Sequence, residues 1–303
     1  MSRRKFLSIA GFTIAAAGAA TYLLSDNKNY ERADINDESS DKISFQHNEK
    51  EILYLASLAP SGHNTQPWIV KYVEPYHWII GNDKKKWLPA VDPSQRETIL
   101  SIGAFIQNLE YAANSAGYLC KFNLLAANNQ DEDIMEVHLQ KTSGLIKYDT
   151  RKLIKRRTVR SGYLTDPLKK EDASYILEGE KDFSHFIPGG TKEYYWLNEN
   201  TIEANRIQVS QSAGWLLITS NGNSVGELLE TGRRFQRIFL KIRDRKIAIH
   251  QITQILEEPE TKQMINASTG INNSIQFILR LGYLKNYPEP VTLRRPVNWF
   301  VSK

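Results

Sequence analysis

The chain has 303 residues and a mass of 34.7 kDa, about twice the usual length of one domain, so two domains or one large unit of two similar halves is expected. Hydrophobic residues make up 41% and charged residues 24%, with 17 Gly and 11 Pro, which excludes collagen-like, low-complexity and wholly disordered chains. The formal net charge of +5 falls to +2 once Arg3, Arg4 and Lys5 are set aside, and the remaining cations are scattered, so nucleic acid is not an expected partner. The one cysteine, Cys120, cannot form an intramolecular disulfide, and the six histidines show no metal-ligand spacing, so no metal site is expected.

Residues 1–24 join the basic start Arg3-Arg4-Lys5 to an apolar run from Leu7 to Leu24, with small residues around Ala15 to Ala20. This is the pattern of a signal peptide. The adjacent arginines followed by Lys-Phe-Leu resemble the twin-arginine export motif, whose machinery carries folded proteins. That resemblance implies a periplasmic or cell-envelope protein, membrane-anchored if the segment is retained, since roughly 20 apolar residues can span a bilayer. Residues 25–45 are polar and aperiodic and read as a linker.

Beyond the linker, Ile52, Leu55, Ala56 and Leu58 recur with helical spacing until Ala59-Pro60-Ser61-Gly62 stops the run, which predicts a helix over 50–58 entering a loop. Short β-branched and aromatic runs at 68–73 and 77–81, separated by Glu74-Pro75-Tyr76, predict a hairpin. Lys84-Lys85-Lys86 reads as a solvated hairpin turn. Apolar spacing of three and four from Ile99 to Ala113 predicts a long buried helix over 96–117, with Gly117 as its stop. Strands are expected at 120–126 and 134–140, a helix through Leu153-Ile154, a loop near Pro188-Gly189-Gly190, a helix near 201–212 and a strand at 214–219. A second long helix runs from Ser224 to about Ile242, and an extended tail closes the chain. Helix, strands, long helix and strand thus occur twice, which points to a duplicated α+β architecture, with halves at 46–144 and 145–303, although no residue-level repeat is visible.

Two clusters could carry chemistry. The loop Pro60-Ser61-Gly62-His63-Asn64-Thr65-Gln66 lies between an apolar helix and an aromatic strand. Ser61, Asn64 and Gln66 offer neutral donors and acceptors suited to a planar heterocycle, and Gly62 lets backbone approach a ligand; a polar turn before a strand is the equal alternative. Arg156, Arg157, Thr158 and Arg160 form a cation-rich run able to hold a phosphate, with Arg294-Arg295 as a second pair, although on composition alone solvated charge is the favoured reading of both. The chain has neither a Gly-rich phosphate loop nor a GxSxG nucleophile elbow.

The stretch from Ala59 through Asn64-Thr-Gln66-Pro-Trp68 resembles the signature of the nitroreductase superfamily of FMN proteins. Asp92-Pro93, Arg96-Glu97 and the run from Ser101 to Tyr118 are similar to the segment C-terminal to that signature in the superfamily. Arg156 to Arg160, Gly232-Arg233, Leu279 to Tyr283 and Leu293 to Val297 are most similar to the long Acg-type branch, in which two nitroreductase-like halves are fused. The resemblance implies an α+β nitroreductase-like fold, a pseudo-dimer within one monomeric chain, and one FMN site between the halves. Arg156, Arg157, Thr158 and Arg160 would take the phosphate and Arg294 or Arg295 would close that pocket, while Pro60, Ser61, Gly62, His63, Asn64 and Gln66 would line the ring. Thr158 replaces the common Ser but keeps the hydroxyl. The chemistry would be the flavin's, with no catalytic side chain singled out. The implied function is an exported oxidoreductase reducing a quinone, nitro or similar small acceptor, its donor unidentified, or NAD(P)H if cytoplasmic. The alternative is an FMN-sequestering protein with little turnover.

Overall fold

The computed structural model describes residues 43–189, 212–252, 256 and 265–303. The signal segment, most of the linker and the helix expected near 201–212 lie outside the described residues.

The chain enters the fold at Ile43, which packs into the core, and Phe45 meets the Tyr72 ring edge-on at 5.8 Å. Helix α1 (Glu49–Ser57) buries Ile52, Leu53, Leu55 and Ala56, and leads through the expected loop to the hairpin of β1 (Trp68–Glu74) and β2 (His77–Asn82). In both strands alternate residues turn inward, so Trp68, Val70, Trp78 and Ile80 are fully buried. Helix α2 (Arg96–Ser115) covers that face, with Phe105 stacked on Trp68 at 5.0 Å. Its first turn is capped by Asp92, whose carboxylate accepts from the Thr98 N–H at 3.0 Å. Its end is set by Gly117, at φ 87°, where a side chain would be strained. Strands β3 (Tyr118–Leu124) and β4 (Asp133–Lys141) extend this sheet beyond β2.

After the short α3 (Arg151–Lys155) come α4 (Lys170–Leu177), β5 (Ser184–Pro188), β6 (Gly214–Ser220), α5 (Val225–Ile242), β7 (Ile247–Gln251), β8 (Ser274–Tyr283) and β9 (Val301–Ser302). Ser224 and Glu227 form a reciprocal capping box that fixes the start of α5. The first sheet runs β3-β4-β2-β1-β9 and the second β5-β6-β8-β7. Read from the other edge, the second is β7-β8-β6-β5, the same order as β3-β4-β2-β1, with a long helix between the second and third strands of each set. The duplication expected from element order is therefore present as topology. The two long helices pack against each other between the sheets, and β9, from the C-terminal end, lies parallel to β1.

Three expectations change. The lysine run at 84–86 is not a hairpin turn: it is a 3-10 turn after β2, whose second neighbour is the distant β4. Its start is fixed by Asp83, whose side chain accepts from the Lys85 N–H at 3.1 Å. Of the loop expected near 188–190, Pro188 is instead the end of a strand, because Ser184 to Pro188 pair with β6, while Gly189 is a turn and Gly190 lies outside the described residues. The extended tail contains β7 and β8, with β8 paired to β6 over Ser274 to Leu281 and to β7 over Leu279 to Tyr283. No helix among the described residues is long and apolar enough to cross a membrane.

Candidate cofactor site

A helix leaves its last carbonyls without intrahelical partners, and cations are favoured there. At the end of α1 two distant arginines fill that role. Arg156 donates to the Leu58 carbonyl at 3.3 and 3.1 Å, and Arg294 donates to the Leu58 and Ala59 carbonyls at 3.5 and 3.2 Å. Both arginines are buried, and the Arg156 guanidinium also lies 5.1 Å from the centre of the Phe239 ring. The first arginine of the 156–160 run and Arg294 of the C-terminal pair thus meet where the 60–66 loop begins.

That loop is held in an uncommon conformation. His63, Asn64 and Gln66 have φ of 49°, 56° and 53°, the left-handed region that costs non-glycine residues free energy unless neighbours impose it. Four hydrogen bonds impose it here. Ser61 Oγ accepts from the Gln66 N–H at 3.0 Å, and the Gly62 N–H donates to Ser101 Oγ at 3.2 Å. Asn64 Oδ1 accepts from Arg294 at 3.0 Å, and Gln66 Oε1 accepts from the Arg295 N–H at 2.9 Å. Arg295 in turn donates to the Gln66 and Trp68 carbonyls and pairs with Asp83 at 3.5 Å. Ser61 and Gln66 are therefore used in shaping the loop, with Gln66 buried. His63 and Asn64 are exposed, and Pro60, Ser61 and Gly62 are half-buried. On the other side of Arg295 a cleft of about 700 Å³ is lined by Asn82, Asp83, the three lysines and Trp299.

The rest of the cationic run points along the second sheet. Arg157 donates to the Glu289 carbonyl, and the Tyr287 hydroxyl donates to the Arg157 carbonyl at 3.2 Å. Thr158 is half-buried and Arg160 is exposed, its carbonyl accepting from Arg280 at 3.3 Å. Arg280 is 1% exposed, lies over the Tyr163 ring at 4.1 Å, and has no acid partner among the described residues; its Nε makes no hydrogen bond. His250 stands beside it on β7, and its Nδ1 is also unbonded. Burial, then the charges of Arg280 and Arg160, push this histidine down to about 3.

Sequence reasoning overlooked two residues for this site. Arg280 is signalled by an arginine inside an otherwise apolar strand. Glu97 lies against the loop, close enough that a Cβ on Gly62 would meet its Oε2 at 2.9 Å. Burial raises the Glu97 carboxyl above the ordinary glutamate value of 4.5, Asp92 adds to the shift, and Arg96 and His63 oppose it.

No family model matches the chain. It is 23% identical over 311 aligned residues to acg of Mycobacterium tuberculosis (strain H37Rv), assigned as an NAD(P)H nitroreductase, an alignment taking in 82% of this chain and 93% of the relative. PigM of a Serratia species, assigned likewise, is 25% identical over 129 residues, which is 40% of this chain and 36% of that protein. A crystal structure from Anabaena variabilis, of a protein assigned as a nitroreductase, superposes with a TM-score of 0.54 at 10% identity, covering 86% of this chain and 94% of that one. The chain thus has the α+β nitroreductase-like fold, and over most of its length its sequence is similar to that of acg.

Proposed function

We propose that the chain binds one FMN in a composite site and acts as an exported oxidoreductase, passing electrons to a quinone, nitro or similar small acceptor. The observation that carries this reading is the meeting of the 60–66 loop with Arg156 and Arg294 at the end of α1. The donor chemistry fits the cofactor. Arg160 and the buried Arg280, which has no acid partner among the described residues and an unbonded Nε, suit a phosphate dianion, because planar guanidinium groups match its oxygens. Asn64, His63 and the Gly62 backbone suit the edge of a planar ring. The site thus has a cationic pole and an amide-rich pole, as a nucleotide with a phosphate at one end and a ring at the other requires.

Bound flavin supplies the electron-transfer chemistry, and the protein supplies binding, orientation and electrostatics. Arg156 and Arg294 fix the loop, Arg157, Thr158 and Arg160 hold the phosphate end, and Arg295 ties the loop to β1. Glu97, protonated to higher pH than an ordinary glutamate, can keep a proton beside His63. The donor is a nicotinamide in the cytoplasm or another reductant after export by the twin-arginine machinery. The halves at 46–144 and 145–303 then form a monomer with a single site.

A second reading, FMN holding with little turnover, is favoured by one observation: the Asn64 and Gln66 side-chain oxygens are already occupied by Arg294 and Arg295. The first test is the visible spectrum of the purified chain, then denaturation and chromatographic identification of the released chromophore. FMN near one per chain is expected, and a colourless protein that refuses added FMN overturns the proposal. Reoxidation of the reduced protein by an added quinone separates the oxidoreductase from the holding protein.

A further inference from the structure

Pairing of β2 with β4 sets His77 opposite His138 and Ile79 opposite Glu136. The residues between them, Trp78 and Val137, are fully buried, so His77, Glu136 and His138 project from the face turned away from the core. The two imidazoles stack with centroids 3.8 Å apart and planes inclined by 22°. Both direct Nε2 at one atom, Glu136 Oε1, at 2.9 Å from His77 and 3.6 Å from His138. One ligand atom from each of the three residues falls within 4.8 Å of the others.

The 2.9 and 3.6 Å separations from Glu136 Oε1 are close to those that ligand atoms take around a shared ion. Metal–nitrogen and metal–oxygen bonds of roughly 2.0 to 2.2 Å place neighbouring ligands about 3 to 3.5 Å apart. The outer contacts are also of the kind that orient metal ligands. His77 Nδ1 lies 3.6 Å from Glu74 Oε1, so the outer nitrogen faces a carboxylate while Nε2 is turned toward Glu136. Asn123 donates to Glu136 Oε2 at 3.2 Å, which turns Oε1 toward the histidines. The side chains of His77, Glu136 and His138 are 15%, 26% and 49% exposed, so the remaining coordination positions open to water. Two lysines share this face: Lys121 on β3, opposite His138, and Lys71 on β1, opposite Ile79, which pairs with Glu132 and Asp133 through its ammonium group.

We propose that His77, Glu136 and His138 form a surface site for one late first-row divalent cation, of the Zn²⁺ or Cu²⁺ class, on the outer face of the first sheet. Two imidazoles select such ions over Mg²⁺ and Ca²⁺, which prefer all-oxygen shells. The histidines are 61 positions apart in sequence, and only the strand register joins them. The site is independent of the flavin reading.

The test is titration of the full chain, produced without a histidine tag, with Zn²⁺ against a chromophoric chelator, alongside His138→Ala and Glu136→Gln. The expected result is one Zn²⁺ per chain, undisturbed by excess Mg²⁺, and binding at least tenfold weaker in each variant. Absence of stoichiometric Zn²⁺ binding by the wild type overturns the proposal. So does unchanged affinity in His138→Ala, a half-exposed position where folding is not at stake. Co²⁺ in place of Zn²⁺ gives an independent reading, through visible absorption bands that His138→Ala abolishes.

Discussion

Gly103 of α2 and Gly232 of α5 face each other where the two long helices cross, and neither has room for a methyl group. A Cβ on Gly103 would stand 2.2 Å from the Leu229 carbonyl oxygen, and one on Gly232 would stand 2.1 Å from that of Leu100. The obstructing atoms are backbone, so the helices would have to separate. Gly103→Ala or Gly232→Ala should therefore destabilise the protein by about 1 to 3 kcal/mol or more, outweighing the roughly 1 kcal/mol gained in helix propensity. Gly226→Ala, on the same α5, is the control: its Cβ would meet only Leu124 Cδ2 at 3.6 Å. That variant should be neutral or gain up to about 1 kcal/mol. Urea unfolding midpoints measure all three, and equal midpoints would remove the helix crossing as a source of stability.

His250 makes stability fall in acid. Its folded-state value, about 3, lies below its ordinary 6.5, so neutral His250 contributes stability above the ordinary value, and that contribution is lost as pH falls toward 3. The slope is at most about 1.4 kcal/mol per pH unit in this window. Between about pH 7 and pH 5 the wild type should lose more unfolding free energy than His250→Gln. A variant that loses as much would mean the buried imidazole is protonated without penalty.

Glu97 acts in the opposite sense. Its carboxyl is raised, so its contribution is full below the ordinary value of 4.5 and is lost as pH rises through the raised one. Glu97→Gln keeps the shape without the buried charge. The variant should gain on the wild type as pH rises from about 4 to about 7, measured by chemical unfolding at each pH. A stability difference that does not change over that range would count against a desolvated carboxylate beside Gly62.

The two ends of the candidate site should respond differently to mutation. Arg157→Ala with Arg160→Ala removes cations from the phosphate end, where each charged hydrogen bond contributes roughly 1.5 to 3 kcal/mol, so flavin retention should drop at least tenfold. Asn64→Ala should change the flavin spectrum and potential more than retention. Flavin content after gel filtration and a redox titration read the two effects, and full occupancy in the double variant would refute the phosphate assignment.

Local spacing carried much of this fold. The apolar repeats of α1, α2 and α5, the β1–β2 hairpin and the stop at Gly117 were legible because a helix or hairpin writes its period into adjacent residues. Helix α4 was not, since only Asp172, Ala173 and Ile176 of its eight residues are buried and its amphipathic signal is short. Strand β8 was missed because both its faces are buried, which removes alternation, and Arg280 interrupts its apolar run.

The sequence by itself determined the types of chemistry available: a polar loop between helix and strand, two arginine clusters, and scattered histidines. Tertiary structure decided which of them meet. It brought Arg156 and Arg294 to the end of α1, separated Arg160 from them and joined it to Arg280, and set His77 against His138. The physical reason is that buried carbonyls and cations must find partners wherever the packed layers place them, and strand register pairs residues by position in space. Neither constraint leaves a local pattern to read.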